Sequence, residues 1–286
     1  MTLAELLIAT ALAMSVLAGV FTAILPAQAA FATQQEAVDL QQRLRIGVET
    51  IARDLRMAFL VRPYRAGASG DDARAGVFFR RDTITIAFPS FVSGDASRTY
   101  FLRADSDSTQ LMQYDGAAST LPVLDDVVAL GFEYFGDPAP PQTIVGVAPV
   151  PADGAVPVTY GPRPPPLTDD PPDEWGRGEN CTFAVVGGVH TPRLRTIGRE
   201  GLVRLDAEAL SDGPWCPQGG DPQRFDADLL RVRRVRILLR LQAPDPFRGP
   251  AGLLFSRAGT ARDPRRYVAD RTLRADVALR NWHVSP

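Results

Sequence analysis

Twenty consecutive uncharged residues, 6–25, stand near the start of the chain and read LLIATALAMSVLAGVFTAIL. As an α-helix this run is about 30 Å long, which matches the hydrocarbon thickness of a bilayer. No other stretch of the 286 residues is both uncharged and predominantly apolar over this length. The sequence therefore predicts one membrane span at the N-terminal end, with the rest of the chain outside the membrane.

Three interpretations of this segment are open. A cleaved secretory signal would use the small residues around 27–29 as its cleavage site, but it requires a basic n-region and a shorter apolar run. Residues 1–5 are acidic instead, because Glu5 is their charged member. A simple N-terminal anchor explains the apolar run, but it gains little from a carboxylate at its edge, where insertion costs about 2.5–3.5 kcal/mol. The third interpretation gives Glu5 a cationic partner within the lipid.

The residues Thr2-Leu3-x-Glu5 followed by Leu-Leu-Ile-Ala resemble the start of a mature type IV pilin or type II secretion pseudopilin. The resemblance implies cleavage by a prepilin peptidase before Met1 and N-methylation of the Met1 amine. It also implies that Glu5 pairs with a neighbour's N-terminus during assembly, with Thr2 and Leu3 in the same assembly motif. Met1 stands where that family usually has Phe, and no basic leader precedes it. We expect either a mature chain or a start codon assigned too late.

The helix is predicted to continue to about residue 60, past Pro26, which removes one helical hydrogen bond and favours a kink. Pro63 marks its end. Asp39 and Glu49 each have an arginine four residues later, which predicts two i,i+4 ion pairs, Asp39–Arg43 and Glu49–Arg53. Apolar residues recur every three or four positions along one face, at Leu40, Leu44, Val48, Ile51, Leu55 and Phe59. This segment looks like that of large minor pilins of the PilW-like type and of J-type pseudopilins.

Residues 61–286 are predicted to form a β-rich head. Residues 76–80 and 83–88 are expected to pair around Arg81-Asp82, and 98–104 with 109–114 around 105–108. Further strands are expected at 127–135, at 234–241, where apolar residues alternate with arginines, and at 273–279. One long helix followed by antiparallel hairpins indicates the α+β class. The order of these strands is also similar to that of the PilW-like and J-type heads.

The segment 137–172 contains twelve prolines in 36 residues. Proline is unsuited to helix interiors and central strands, so this segment is predicted to be an extended surface insertion.

Few residues suit catalysis or metal binding. The chain has two Cys, two His and no Lys, so we expect no enzyme and no cofactor. Cys181 and Cys216 are predicted to form a disulfide, as an exported location allows. Asp105 and Asp107 alternate with serines, which makes them a weak calcium candidate beside the expected hairpin turn.

Residues 223–286 carry 14 Arg against 6 Asp, although the whole chain has a formal net charge of −2. DNA binding is conceivable for this segment, but the aromatic residues that stack on bases are not interleaved with its arginines. Docking of basic against acidic faces of neighbouring subunits is a second interpretation. The arginines concerned are Arg231, Arg233, Arg234, Arg236, Arg240, Arg262, Arg265 and Arg266.

The resemblance implies a structural subunit that is stored in the bacterial inner membrane and polymerises into an extracellular or periplasmic filament. Its implied partners are other pilin-like subunits, prepilin peptidase and the inner-membrane assembly machinery. The large head favours a minor pilin, with the filament tip as its expected location. A J-type pseudopilin and a membrane-tethered periplasmic binding domain that never polymerises are the alternatives.

Overall fold

The computed structural model describes residues 2–58, 60–63, 79–88, 97–104, 109–117, 119–140, 179, 181–198, 200–218, 221–244 and 268–279. It begins with one helix, α1 (Leu3–Met57), and continues with thirteen strands and a short 3-10 helix (Ala227–Arg231). The strands are β1 (Leu60–Arg62), β2 (Ile84–Ala87), β3 (Ser97–Ala104), β4 (Thr109–Tyr114), β5 (Thr120–Leu124), β6 (Val127–Gly136), β7 (Phe183–Val186), β8 (Val189–Pro192), β9 (Val203–Leu205), β10 (Trp215–Gln218), β11 (Asp221–Asp226), β12 (Val232–Leu241) and β13 (Arg271–Ala278). The predicted α+β architecture, one long N-terminal helix followed by an antiparallel β-rich head, is confirmed.

Helix α1 is continuous across Pro26 and ends at Met57, three residues before the predicted limit. Ala58 follows in an extended conformation, and its backbone N–H donates to the carbonyl of Leu55. The predicted apolar face is buried at Leu40, Leu44, Val48, Ile51 and Leu55. Phe59, which we placed on the same face, lies outside the described residues.

Five strands form one antiparallel sheet in the order β1-β2-β3-β4-β5. The predicted hairpin around 105–108 is confirmed, because β3 and β4 pair from Thr99↔Tyr114 to Ala104↔Thr109. The predicted pairing of 76–80 with β2 is wrong. Strand β2 has β1 on one side and β3 on the other, so both of its edges are already occupied.

A second antiparallel sheet has the order β13-β12-β6-β9. Its central strand β12 alternates buried apolar residues with half-exposed ones, as its sequence predicts. It pairs with β6 on one side and with β13 along all eight residues of that strand on the other. Two separate hairpins, β7–β8 and β10–β11, complete the described part of the head.

The outer half of α1 packs against β12 and β13 of the second sheet and against β5 of the first. Gly47 lies at a point of close approach in this packing. A Cβ atom there would lie 3.0 Å from a Leu124 methyl carbon and 3.1 Å from one of Leu239. The absence of a side chain therefore lets the helix approach both sheets, and residues of the helix and of both sheets share one hydrophobic core.

Candidate functional site at the N-terminal helix

The first turn of α1 is closed by a reciprocal pair of hydrogen bonds between Thr2 and Glu5. The Thr2 hydroxyl accepts from the Glu5 backbone N–H at 3.4 Å, and the Glu5 carboxylate accepts from the Thr2 backbone N–H at 2.8 Å. Thr2 is extended, with φ −89° and ψ 154°, as an N-cap residue should be. This is a capping box, which satisfies two backbone donors that a helix start would otherwise leave unpaired.

The capping box gives Glu5 a local role that our sequence analysis missed, although the spacing Thr-x-x-Glu is its known signature. The carboxylate also lies at the positive end of the helix dipole, which favours a negative charge there. Both effects lower the cost of holding a carboxylate at the membrane edge. Met1 lies outside the described residues, so its processing and methylation stay predictions.

The segment Leu3–Thr22 is long and apolar enough to cross a membrane, by length and composition, and none of it is buried within the protein. Its hydroxyl groups bond back to the helix itself. Thr10 donates to the Leu7 carbonyl at 3.0 Å, Ser15 to the Ala11 carbonyl at 2.8 Å, and Thr22 to the Gly19 carbonyl at 2.8 Å. Because hydrocarbon offers no partner to polar groups, internal satisfaction of these hydroxyls is what a spanning helix requires.

The charges on the outer half of α1 pair differently from our prediction. Arg43 does not bond Asp39; it reaches the head, where it lies 3.5 Å from the Asp126 carboxylate and donates to the Asp125 carbonyl. Glu49 pairs with Arg56 at 2.7 Å rather than with Arg53. The two predicted i,i+4 pairs are therefore wrong, since tertiary contact with the head and a second arginine on the helix compete for the same groups.

Asp54 connects the end of α1 to the first sheet. It is 2% exposed, and its two carboxylate oxygens accept from the Arg98 guanidinium and the Tyr100 hydroxyl of β3, each at 2.6 Å. Burial, and then the hydrogen bond to Asp54, raises the pKa of Tyr100, so its hydroxyl remains a donor. The same carboxylate raises the pKa of Arg98 through its hydrogen bond. These contacts fix the head at a defined position on the helix.

The arginines of β12 are engaged within the head. The Arg236 guanidinium forms a bidentate ion pair with Asp276 on the neighbouring strand and lies 3.5 Å from the Glu133 carboxylate. Arg240 pairs with Asp270 at 2.7 Å. Arg234 and Arg236 also lie over the Phe135 ring, at 4.5 and 5.1 Å from its centroid. This alternation of arginine and carboxylate across neighbouring strands stabilises the outer face of the sheet.

Two further arginines of the predicted basic cluster are held nearer the 3-10 helix. Arg233 pairs with Asp137 at 2.7 Å. Arg231 is 1% exposed; it pairs with Asp228 at 2.6 Å and donates to the carbonyls of Pro138 and Arg195. The described part of the cluster is thus neutralised by carboxylates of the same chain, and Arg262, Arg265 and Arg266 lie outside the described residues.

Three carboxylates meet beside this 3-10 helix: Asp226 and Asp228, which are close in sequence, and the more distant Asp212. One carboxylate oxygen from each of Asp212, Asp226 and Asp228 lies within 4.8 Å of the other two. Burial raises the pKa of Asp226 to about 7 and that of Asp228 to about 6. The buried guanidinium of Arg231 supplies the cation beside them, and the backbone N–H groups of Gly213 and Asp228 donate to Asp226.

The remaining predicted sites are only partly described. Cys181 is buried, and Cys216 lies in β10, so their pairing stays a prediction. Asp105 and Asp107 lie outside the described residues, as does most of the proline-rich segment, from 141 to 172.

The chain matches no known protein family and no curated protein. Among solved structures, a type IV-like pilin from Thermus thermophilus is similar, with 11% sequence identity and a TM-score of 0.31. The superposition covers 85% of this chain and 98% of that one. A likeness this distant assigns neither a fold family nor a function, and the chain's own helix and head remain the basis for both.

Proposed function

We propose that the protein is a pilin-like structural subunit, which is held in the membrane by the first half of α1 and polymerises through that helix. One observation carries the proposal: a single unbroken helix joins an uncovered apolar segment, with a carboxylate in its first turn, to a folded head. A membrane anchor alone needs the apolar segment only. Subunits that leave the bilayer together must replace lipid with one another, and a carboxylate at the helix start offers a partner for a neighbour's terminal amine.

Within this proposal we favour a minor pilin, located at the filament tip, because the head is large. Prepilin peptidase and an inner-membrane assembly machine would then be its processing and assembly partners. A J-type pseudopilin of type II secretion is the alternative in the same class. A membrane-tethered periplasmic binding domain is the alternative from another class, and it makes no use of Glu5 beyond the capping box.

The test uses two substitutions of Glu5 that differ in one property. Glu5→Gln keeps an acceptor for the Thr2 N–H, since Gln also serves in capping boxes, but it removes the charge. Glu5→Ala removes both the charge and the hydrogen-bond acceptor. If the carboxylate meets a cation of a neighbour in lipid, each substitution leaves that cation unpaired, which typically costs about 3–5 kcal/mol. Incorporation into sheared filaments should then fall at least a hundredfold for both variants.

The membrane-fraction level of each variant provides the control, because losing a charge should not hinder insertion. Thr2→Val is a second control, which breaks the cap and retains the carboxylate. Loss of incorporation for Glu5→Ala alone would restrict Glu5 to its capping role. Normal incorporation of both Glu5 variants would favour the tether and refute assembly through this residue.

A further inference from the structure

Three residues at a regular spacing form a line on the exposed face of the outer half of α1, which we call the seam. Asp39, Ile46 and Arg53 are seven residues apart and so lie nearly above one another on the helix. All three are exposed, and Ile46 retains 54% of its accessible surface. The seam is opposite the face buried by the head, and it runs from an acidic end near the membrane segment through an apolar centre to a basic end.

The charges at the two ends of this seam form no ion pair with another described residue. Their nearest candidates on the helix are engaged elsewhere, Arg43 with Asp126 and Glu49 with Arg56. Arg53 makes no ion pair with Glu49, and its positive charge only contributes to lowering the pKa of that carboxyl group. The head engages Arg43 and the helix itself engages Glu49, so Asp39 and Arg53 stay available to a partner.

The charged ends of the seam are complementary to those of a shifted copy. Asp39 and Arg53 are separated by 14 residues, or about 21 Å along the axis. Helices anchored in one membrane run parallel, so two copies at the same height would set Asp39 against Asp39 and Arg53 against Arg53, which is repulsive. A copy displaced outward by about 21 Å sets its Asp39 level with the Arg53 of the first copy.

We propose that Asp39 and Arg53, the charged ends of this seam, form a docking contact with a second copy of this chain, displaced outward along the helix axis by about four turns. This inference rests on the proposed function, because it assumes that copies assemble side by side. It adds which face of α1 meets the neighbour and in what register. A helical array gives each copy neighbours at several axial offsets, so this contact and the Glu5 contact belong to different neighbours.

Cysteine cross-linking in cells tests the axial offset between two copies of α1 directly. Two differently tagged copies are co-expressed, one with Asp39→Cys and the other with Arg53→Cys, and treated with a bis-maleimide about as long as the 8–10 Å between packed helix axes. The mixed pair should give cross-linked dimers at several times the yield of either substitution paired with itself. Gln41→Cys, exposed on α1 but away from the seam, is the matched control and should give little product with either partner.

Charge reversal tests the attraction itself. Asp39→Arg and Arg53→Asp should each lower recovery in sheared filaments by about fivefold, the upper range for an exposed ion pair. The chain with both reversals restores complementarity between copies and should recover. Gln41→Arg adds a charge off the seam and should change recovery little.

The outcomes separate this inference from the proposed function. If wild-type protein is found in filaments but self-paired cysteines cross-link as well as the mixed pair, or no seam pair cross-links, the seam proposal is overturned and assembly stands. If the double reversal is no better than the single ones, the charge pairing is overturned. If wild-type protein never enters filaments and the mixed pair gives no dimers, both proposals fail.

Discussion

The two halves of α1 place apolar side chains in two different environments. In the first half, residues such as Ile8 and Leu12 are each 63% exposed, because no described part of the protein packs on them. In the second half, Leu40, Ile51 and Leu55 are fully buried against the sheets of the head. One continuous helix therefore serves as a lipid-compatible rod at one end and as a structural element of a globular core at the other.

This difference shows what each half requires from its surroundings. The first half satisfies its polar groups by itself, through the capping box and the hydroxyls that bond to preceding carbonyls. The second half depends on the head, which accepts Arg43, meets Gly47 closely and binds Asp54. Stability of the fold should therefore be sensitive to the second half and insensitive to the first.

A matched pair of substitutions tests this contrast with the largest effect. Ile51→Ala should lower the free energy of unfolding of the head by about 2–5 kcal/mol, because it opens a cavity in the core. Ile8→Ala removes the same atoms from an exposed position and should change that free energy by less than about 0.5 kcal/mol. Denaturant unfolding in detergent measures both. Equal losses would show that the first half also stabilises the head.

A disulfide within the head would further distinguish the head from the membrane half of α1, since disulfides form only on the exported side of the membrane. If Cys181 and Cys216 are bonded, the bridge closes a loop of roughly 35 residues, and Cys216→Ser should cost about 4 kcal/mol in the chain-entropy account. Non-reducing mass spectrometry of exported protein checks the bond directly. Two free thiols in folded, exported material would refute it.

The link between helix and head can be tested at Asp54. Asp54→Ala leaves the buried Tyr100 hydroxyl without its acceptor, which typically costs about 1–3 kcal/mol, whereas Arg98, whose side chain is 43% exposed, can turn to water. Asp54→Asn keeps an acceptor and should cost less. In a Tyr100→Phe background the loss from Asp54→Ala should shrink. If it does not, the hydrogen bond between them is not the source of the effect.

The smallest expected effect is a pH dependence confined to the head. Folding raises the pKa of Asp226 from 3.8 to about 7 and that of Asp228 from 3.8 to about 6, because both are buried. The folded state therefore binds protons more tightly, so stability should rise as the pH falls from about 7.5 to 6, by roughly 1–2 kcal/mol. Unfolding at a series of pH values measures this rise.

Asp226→Asn is the control for that series. It removes the more strongly shifted group and retains a polar side chain that can accept from Gly213, so the rise should become smaller. The exposed pairs formed by Glu49 and Asp276, whose pKa values are lowered by Arg56 and Arg236, act in the opposite sense and only near pH 4. An unchanged rise in the variant would place its origin elsewhere.

The sequence by itself determined the elements whose patterns are local. The uncharged run, the apolar face of α1, the β3–β4 hairpin and the alternation of β12 follow from spacing alone, because a period of 3.6 or 2 fixes which side chains share a face. The Thr-x-x-Glu spacing also carried the capping box, although our interpretation of Glu5 overlooked it.

Only the tertiary structure decided which groups pair across long separations. It pairs Arg43 with Asp126 rather than with Asp39, places β1 beside β2 where 76–80 was expected, and brings Asp212 to Asp226 and Asp228. Local spacing lists the neighbours that a side chain can reach along its own element. An ion pair between residues three or four apart on a helix contributes only a few tenths of a kcal/mol. A partner that folding places in a less solvated or better-aligned position therefore replaces the local one.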